Sequence, residues 1–305
     1  MTVAASRERD VREGGDWTLL QRIKNDVIYA MASAVLGAIG RVSRMRVVGC
    51  GRWLGGWVHA LAGSLRRRAR RNVALAFPEA TPRERAAIVR ASFVNLGGHV
   101  AEAFASLRSS PPLLVFDDAS QSVLREALAE GRGVILPSAH LGPWERLAAT
   151  LAASFPLTAI VRESYDPRFD ALVLAVRARA GVETIARGAP HAPTRIVRAL
   201  RSGRVLGIPM DLRTRAASVV VPLLGADSPT AVGPARLALR TGAPVVVSTI
   251  EKIETEAPDL AFSVTCTRIE TRGLDDVALT GRINEELGRR IRLAREHWPW
   301  MHERR

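Results

Sequence analysis

The chain has 305 residues, of which 47% are hydrophobic, and this length and composition suit one globular domain, alone or with an appendage. The formal net charge is +14 and the pI is about 11.3, which suits anionic partners such as lipid head groups, a phosphorylated glycolipid, an acidic carrier protein or nucleic acid. The two cysteines, Cys50 and Cys266, are far apart and exclude a disulfide framework or a cysteine-based metal or redox motif.

The N-terminal region is predicted to hold helices that contact a membrane surface. Residues 1–16 are polar and charged, and we expect them to be disordered. The uncharged run Val27 to Gly40 is shorter than the roughly 20 apolar residues of a full span, and the stretch Val47 to Leu65 is interrupted by Arg52. Neither stretch resembles a cleavable signal. Their basic flanks favour interfacial helices on an anionic leaflet, and long buried helices are the alternative.

A basic block and a helix start come next. Arg66 to Arg71 indicates a solvated face or a phosphate-binding patch. Thr81 with Glu84 three residues later is a capping box, and Pro82 suits the first helical position. The sequence therefore predicts a helix from Pro82 that continues to Gly97-Gly98.

Short apolar strands then alternate with helices. A helix is predicted from Ser120 to Glu130. Predicted strands are Val134 to Leu136, Leu157 to Val161, Val182 to Ala186, Val205 to Pro209, Ser218 to Leu223, Pro244 to Ile250 and Ala261 to Thr267. This alternation predicts an α/β fold whose central sheet, mostly parallel or mixed, is flanked by helices.

The stretch from Gly133 to Glu145 carries the chemistry. His140 lies on the loop after a predicted buried strand, and Glu145 lies in the first turn of the helix opened by Pro143. This position is the carboxyl edge of the sheet, where ligands bind in open α/β folds. An imidazole can accept a proton from a hydroxyl near neutral pH, and a carboxylate can fix its tautomer. The pattern H-x-x-x-x-E thus indicates a general base and its orienting group, and a chance pair on a surface loop is the alternative.

Two more strand ends carry charged residues. Arg162 follows a predicted strand at the same edge, and its guanidinium suits a phosphate or an acyl carbonyl, with a surface salt bridge as the alternative. Asp211 also ends a strand, where it would orient Arg162 or a substrate hydroxyl, or cap a turn. Farther on, Thr230 is predicted to cap a helix, and Gly233 to allow a close backbone approach at a helix N-terminus that suits an anion.

The block His140-Leu-Gly-Pro-Trp-Glu145 resembles the first motif of the lipid A biosynthesis acyltransferases, the lauroyl/myristoyl type of the lysophospholipid acyltransferase superfamily. The resemblance covers roughly residues 20–305. Further similar blocks, in the family's order, are Asn72-Val-Ala-Leu-Ala-Phe-Pro-Glu79, Arg90-Ala-Ser-Phe-Val-Asn-Leu96, Val221-Pro-Leu-Leu-Gly225 and the closing Arg295-Glu-His-Trp-Pro-Trp-Met-His-Glu-Arg-Arg305. The chain departs from the family at Pro143, where Asn is common, and at Leu212, where Gln is usual.

The resemblance implies a set of site residues. His140 and Glu145 are expected to be catalytic, with Glu145 holding His140. The residues expected to bind substrate are Arg162, Asp211, Gly142, Trp144, Thr230 and Gly233. Arg162 or backbone amides near Gly142 are expected to stabilise the oxyanion. Trp298 and Trp300 are expected to pack in the core or lie at the membrane interface. No metal, cofactor or covalent enzyme intermediate is required.

The sequence therefore predicts a membrane-associated O-acyltransferase. The resemblance implies an acyl carrier protein thioester as donor, with coenzyme A less favoured, and an anionic lipid A-type glycolipid as acceptor at the cytoplasmic face of the inner membrane. Residues 17–65 would form the interfacial helices and 66–305 the acyltransferase domain. Alternatives are another lipid acceptor (a lysophospholipid, an ornithine lipid or a mannosylated inositol lipid) or a non-catalytic membrane-binding homologue. A nucleic-acid binder is disfavoured because no such motif is present.

Overall fold

A computed structural model describes residues 17–39, 42–107, 110–162, 166–213, 216–254 and 261–303. Its helices are α1 (Leu19–Ile39), α2 (Arg44–Leu61), α3 (Gly63–Ala76), α4 (Pro82–Ala105), α5 (Asp118–Ala129), α6 (Trp144–Ser154), α7 (Pro167–Arg179), α8 (Ala192–Arg201), α9 (Gly233–Thr241) and α10 (Asp276–Leu293), followed by a 3₁₀ helix, Arg295–His297. Its strands are β1 (Val134–Ser138), β2 (Leu157–Val161), β3 (Glu183–Ala186), β4 (Val205–Pro209), β5 (Ser218–Leu223), β6 (Ala226–Ala231), β7 (Val245–Lys252) and β8 (Phe262–Ile269). The predicted disorder of residues 1–16 lies outside the described residues.

The central sheet has six strands in the order β3-β2-β4-β1-β7-β8. The neighbours from β3 to β7 pair in parallel, and β8 pairs antiparallel with β7 at the edge. The predicted α/β class with a mixed sheet and flanking helices is confirmed. A separate antiparallel hairpin, β5-β6, follows β4 in the chain.

The middle of the sheet is the core of the protein. Every residue of β1 is buried, as are the first six residues of β7, which explains why both are continuous apolar or small-residue runs rather than alternating ones. Because β1, β2 and β4 run parallel, the loops that follow them emerge at one edge. That edge carries the candidate site.

The helix start predicted at Thr81 is confirmed. The Thr81 hydroxyl accepts a hydrogen bond from the Glu84 amide, and the Glu84 carboxylate accepts one from the Thr81 amide, with Pro82 in the first turn. These reciprocal bonds satisfy backbone donors that the first turn of a helix leaves unpaired.

The helix cap predicted at Thr230 is wrong. Thr230 lies in β6, where it pairs with Val219 of β5, and the residue before α9 is Val232, whose side chain makes no capping bond. The strand pairing therefore extends to the residue before Val232, which leaves Thr230 no access to the helix end. Gly233 also differs from expectation, because a Cβ added there meets no atom within 4 Å.

Helix α2 lies directly against α4 through glycines. A Cβ added at Gly51 would come within 2.4 Å of the Gly97 carbonyl oxygen, and one added at Gly55 within 2.3 Å of the Phe93 carbonyl oxygen. Backbones that approach this closely leave room only for hydrogen at those positions. This contact between α2 and α4 joins residues on either side of the domain boundary predicted between residues 65 and 66. The boundary itself stays a prediction.

None of the helices in the described part of the chain is long and apolar enough to cross a bilayer.

We predict that the two glycines Gly55 and Gly49 of α2 respond oppositely to alanine. Gly55→Ala forces α2 away from α4 and should lower the free energy of unfolding by about 1–3 kcal/mol, as overpacking does. Gly49 has no neighbour within 4 Å of the added Cβ, so Gly49→Ala should be neutral or stabilise the helix by up to about 1 kcal/mol. Urea unfolding followed by circular dichroism measures both. Equal effects at the two positions would contradict the close helix contact.

Candidate active site

The sheet register brings His140 and Asp211 together. Ser138, the last residue of β1, is in register with Pro209, the last residue of β4. His140 and Asp211 each lie two residues beyond those positions, so parallel pairing places them side by side at the carboxyl edge.

Asp211 is the carboxylate that holds His140. The Asp211 Oδ1 atom lies 2.9 Å from Nδ1 of the His140 ring, and Oδ2 accepts the His140 backbone amide at 2.9 Å. Trp298 donates its indole N–H to the same Oδ2 at 2.8 Å. The Asp211 side chain is fully buried, whereas the His140 side chain is 31% exposed. With Nδ1–H directed at Asp211, the other ring nitrogen, Nε2, keeps the lone pair that a base needs.

The electrostatics of the pair raise the basicity of the imidazole. Burial alone would lower the pKa of His140, but the charge and hydrogen bond of Asp211, together with the charge of Glu145, raise that pKa above its ordinary value. Burial would raise the pKa of Asp211, but its hydrogen bonds and His140 hold it below the usual range. Asp211 is therefore ionised when His140 exchanges a proton.

Glu145 occupies a different position from the one expected. Its carboxylate accepts two hydrogen bonds from Arg177 of α7, from Nε at 3.0 Å and from Nη2 at 2.6 Å. It lies in the first turn of α6 and acts on His140 through its charge, whereas the hydrogen bond to the ring comes from Asp211. The expectation that Glu145 holds the imidazole is corrected accordingly: the Arg177 pair fixes Glu145 in place on the α7 side.

The residues between His140 and Glu145 shape the loop. The Trp144 ring packs edge-on against the His140 ring, with centroids 5.6 Å apart. Gly142 has φ of 61°, and a Cβ there would lie 2.8 Å from Ile250 Cγ1, so this position requires glycine. The Gly142 amide donates to the His297 carbonyl at 3.0 Å, and it is therefore already engaged rather than free to bind an oxyanion as expected.

The other expected substrate-binding residues are distributed around this edge. Arg162 directly follows β2 at the same edge, and its side chain is exposed. Thr230 lines a small cavity together with Asp211 and Met210, so the hairpin β5-β6 borders the site. The Thr230 hydroxyl accepts a hydrogen bond from the Asn284 side-chain amide at 2.8 Å. Gly233 begins α9 and takes no part in these contacts.

The structure adds two residues to the site: Trp298, which the sequence predicted only as a packing or interface residue, and Arg177, which the sequence did not indicate. Trp298 is fully buried, and its indole N–H donates a hydrogen bond to Asp211. It therefore both packs in the core and helps to hold the carboxylate. Trp300 is also fully buried, so it packs in the core rather than lying at an interface. A buried indole generally needs an acceptor, which is a signal for Trp298. Arg177 lies within α7, and no sequence motif around it indicates a role in the site.

The sequence model of a known family, described as bacterial lipid A biosynthesis acyltransferase, matches residues 18–305. The chain belongs to this family. The matched range includes both His140 and Asp211. No curated protein matches the chain at a significant level.

We predict that the pKa of His140 depends more on Asp211 than on Glu145. Asp211→Asn removes the nearest negative charge, and burial should then bring the pKa of His140 below its ordinary value of 6.5. Glu145→Gln removes a more distant charge and should lower the pKa less. NMR titration of the imidazole, with His140→Ala to identify the signal, measures both. A larger fall in Glu145→Gln than in Asp211→Asn would contradict the geometry.

Proposed function

We propose that this lipid A-type acyltransferase moves a fatty acyl group from a thioester to a hydroxyl of a membrane glycolipid, with His140 as general base. The proposal is supported above all by the His140–Asp211 pair, in which a buried carboxylate fixes one ring nitrogen of a partly exposed imidazole. Family membership supplies the reaction class.

In the proposed reaction His140 Nε2 accepts the proton of the acceptor hydroxyl as its oxygen attacks the thioester carbonyl. The resulting imidazolium is stabilised by the ionised Asp211, and the tetrahedral intermediate collapses when the carbon–sulfur bond breaks. The imidazolium then returns its proton to the departing thiolate, so the enzyme ends unchanged. Arg162, whose exposed side chain follows β2 at the same edge, is the proposed partner of the developing oxyanion.

Acyl carrier protein is the proposed donor carrier, and coenzyme A the second choice. An anionic glycolipid is the proposed acceptor. The high positive charge of the chain supports both acidic partners, since either would be attracted to it. Another lipid acceptor stays an alternative within the same chemistry.

We predict that His140→Ala abolishes acyl transfer while folding and lipid binding persist. Because Asp211 fixes the tautomer, Asp211→Asn should lower kcat by roughly 10²–10⁴-fold. Glu145→Gln should lower it by about tenfold or less, since the charge acts from a distance. Radiolabelled lauroyl thioester, carried by acyl carrier protein or by coenzyme A, is incubated with lipids extracted from cells that lack the chain.

The outcomes separate the possibilities. Acyl transfer by His140→Ala would contradict the assignment of His140 as general base. Equal losses of kcat in Asp211→Asn and Glu145→Gln would mean that Glu145 supports His140 as much as Asp211 does. Mass spectrometry of the product lipid identifies the acceptor and the chain length. A wild-type chain that binds lipid but transfers nothing from either donor favours the non-catalytic homologue.

We also propose that α1 and α2 hold the enzyme on the cytoplasmic face of the inner membrane. The outward face of α2 exposes Trp53 and Trp57, 62% and 50% exposed, which pack edge-on with centroids 5.9 Å apart. Other exposed apolar residues of the two helices are Leu19, Leu20, Ile23, Val27, Ile28, Met45, Leu54, Val58 and Leu61. Exposed apolar and indole side chains on α1 and α2, with the exposed arginines of α3 next in the chain, suit the boundary of an anionic bilayer.

We predict that the double variant Trp53→Ser/Trp57→Ser weakens sedimentation with anionic vesicles by about tenfold or more. Each large side chain contributes roughly 1.5–3 kcal/mol when fully buried, and tenfold corresponds to about 1.4 kcal/mol. The matched control is Val220→Ser/Leu293→Ser, whose side chains are 65% and 61% exposed on other elements. Equal losses in both double variants would contradict docking through α2. Tighter binding to random duplex DNA than to vesicles would overturn the membrane proposal.

A further inference from the structure

The C-terminal strap, residues 295–300, touches both halves of the His140–Asp211 pair. Within the strap, the backbone carbonyl of His297 accepts a hydrogen bond from the Gly142 amide at 3.0 Å. Gly142 lies on the loop that carries His140. The next residue, Trp298, donates to Asp211 Oδ2 at 2.8 Å. A displacement of the strap would therefore disturb both the loop that carries the base and the carboxylate that holds it.

Helix α4 fixes the strap at two points. The Asn95 side-chain amide donates to the Glu296 carbonyl oxygen at 2.9 Å, and His99 Nε2 lies 3.1 Å from His297 Nδ1. Asn95 and His99 are four residues apart, so both lie on one face of α4. Arg52 of α2 donates to Asn95 Oδ1 at 2.8 Å, which fixes the orientation of that amide.

The two histidines remain neutral at working pH. Burial lowers the pKa of His99 to about 3 and that of His297 to about 4. The charged groups that act on them are Arg52 and Arg146 for His99, and Glu296, Lys252 and Arg52 for His297. One neutral ring donates its N–H and the other accepts it, and Phe262 packs edge-on against the His297 ring at 4.9 Å. The neutral pair thus makes a directional hydrogen bond between α4 and the strap.

We propose that His99 is a positioning residue for the reaction, acting on His140 and Asp211 through the strap. The hydrogen bond from α4 holds His297, and His297 with Trp298 holds the loop and the carboxylate in register. Asn95 supports the same strap through Glu296. The inference concerns the geometry of the pair and depends on the proposed function only for its kinetic consequence.

The test uses His99→Phe, which keeps an aromatic ring and removes the hydrogen bond. The His99 side chain borders a small cavity together with Glu102 and Trp144. His99→Gln places an amide nitrogen near the position of Nε2 and should preserve the bond. His59→Phe is the matched control, because the His59 ring packs edge-on against Phe93 of α4 at 5.4 Å, away from the strap.

NMR titration of the full-length protein gives the first readout. A less firmly held Asp211 raises the pKa of His140 less, so that pKa should fall by about half a pH unit or more in His99→Phe. It should keep the wild-type value in His99→Gln and His59→Phe. Asn95→Ala should shift it in the same direction as His99→Phe, and it tests the strap independently if His99→Phe does not fold. The charged groups that face His140, namely Asp211, Glu145 and Arg177, are unchanged in every variant.

Kinetics give the second readout. His99→Phe should lower kcat with little change in KM and move the acid limb of the pH profile to lower pH, because the base must be neutral to act. An unchanged His140 pKa in both His99→Phe and Asn95→Ala, or an equal fall in His99→Gln, overturns the proposal whatever the activity. A wild-type chain without acyl transfer contradicts the proposed function and leaves the NMR result standing as the test of the strap.

Discussion

The buried carboxylate of Asp211 is the constraint on which the site depends. A carboxylate withdrawn from water is costly unless donors surround it and a cation or potential cation lies nearby. Asp211 meets this requirement with the amide and ring of His140 and the indole of Trp298. These donors come from the β1 loop and from the C-terminal strap, so satisfying one carboxylate fixes three parts of the chain relative to one another. The same contact leaves Nε2 of His140 as the free basic nitrogen.

The order of the strands explains why this partner could not be predicted from local sequence. The pattern of apolar runs predicted the bounds of β2, β4 and β5 as the structure has them, and it correctly placed His140 and Asp211 at strand ends. Their meeting depends on β4 lying next to β1, although β2 and β3 come between them in the chain. The motif H-x-x-x-x-E points to Glu145, five residues along the chain from His140, whereas Asp211 is 71 residues away. Only strand order and register decide between the two carboxylates.

The other differences have a similar cause. Thr230 precedes a helix and has a hydroxyl that suits a helix cap, but its backbone pairs with Val219 of β5 in the hairpin. Gly142 was expected to present its amide to substrate, and a carbonyl from the far end of the chain already binds it. Residues whose roles are set within one turn, such as Thr81 and Glu84, were predicted correctly. For residues whose partners lie on distant segments, the sequence predicted the correct part of the molecule but not the residue that each one contacts.

Helix α4 links the proposed membrane face to the site. Its backbone lies against Gly51 and Gly55 of α2, and its Asn95 and His99 side chains hold the strap. Glycine contacts between backbones and hydrogen bonds between neutral groups are short and insensitive to salt, so they transmit position without depending on ionic conditions. With α2 docked on the membrane as proposed, this path through α4 would set the distance between the membrane surface and His140.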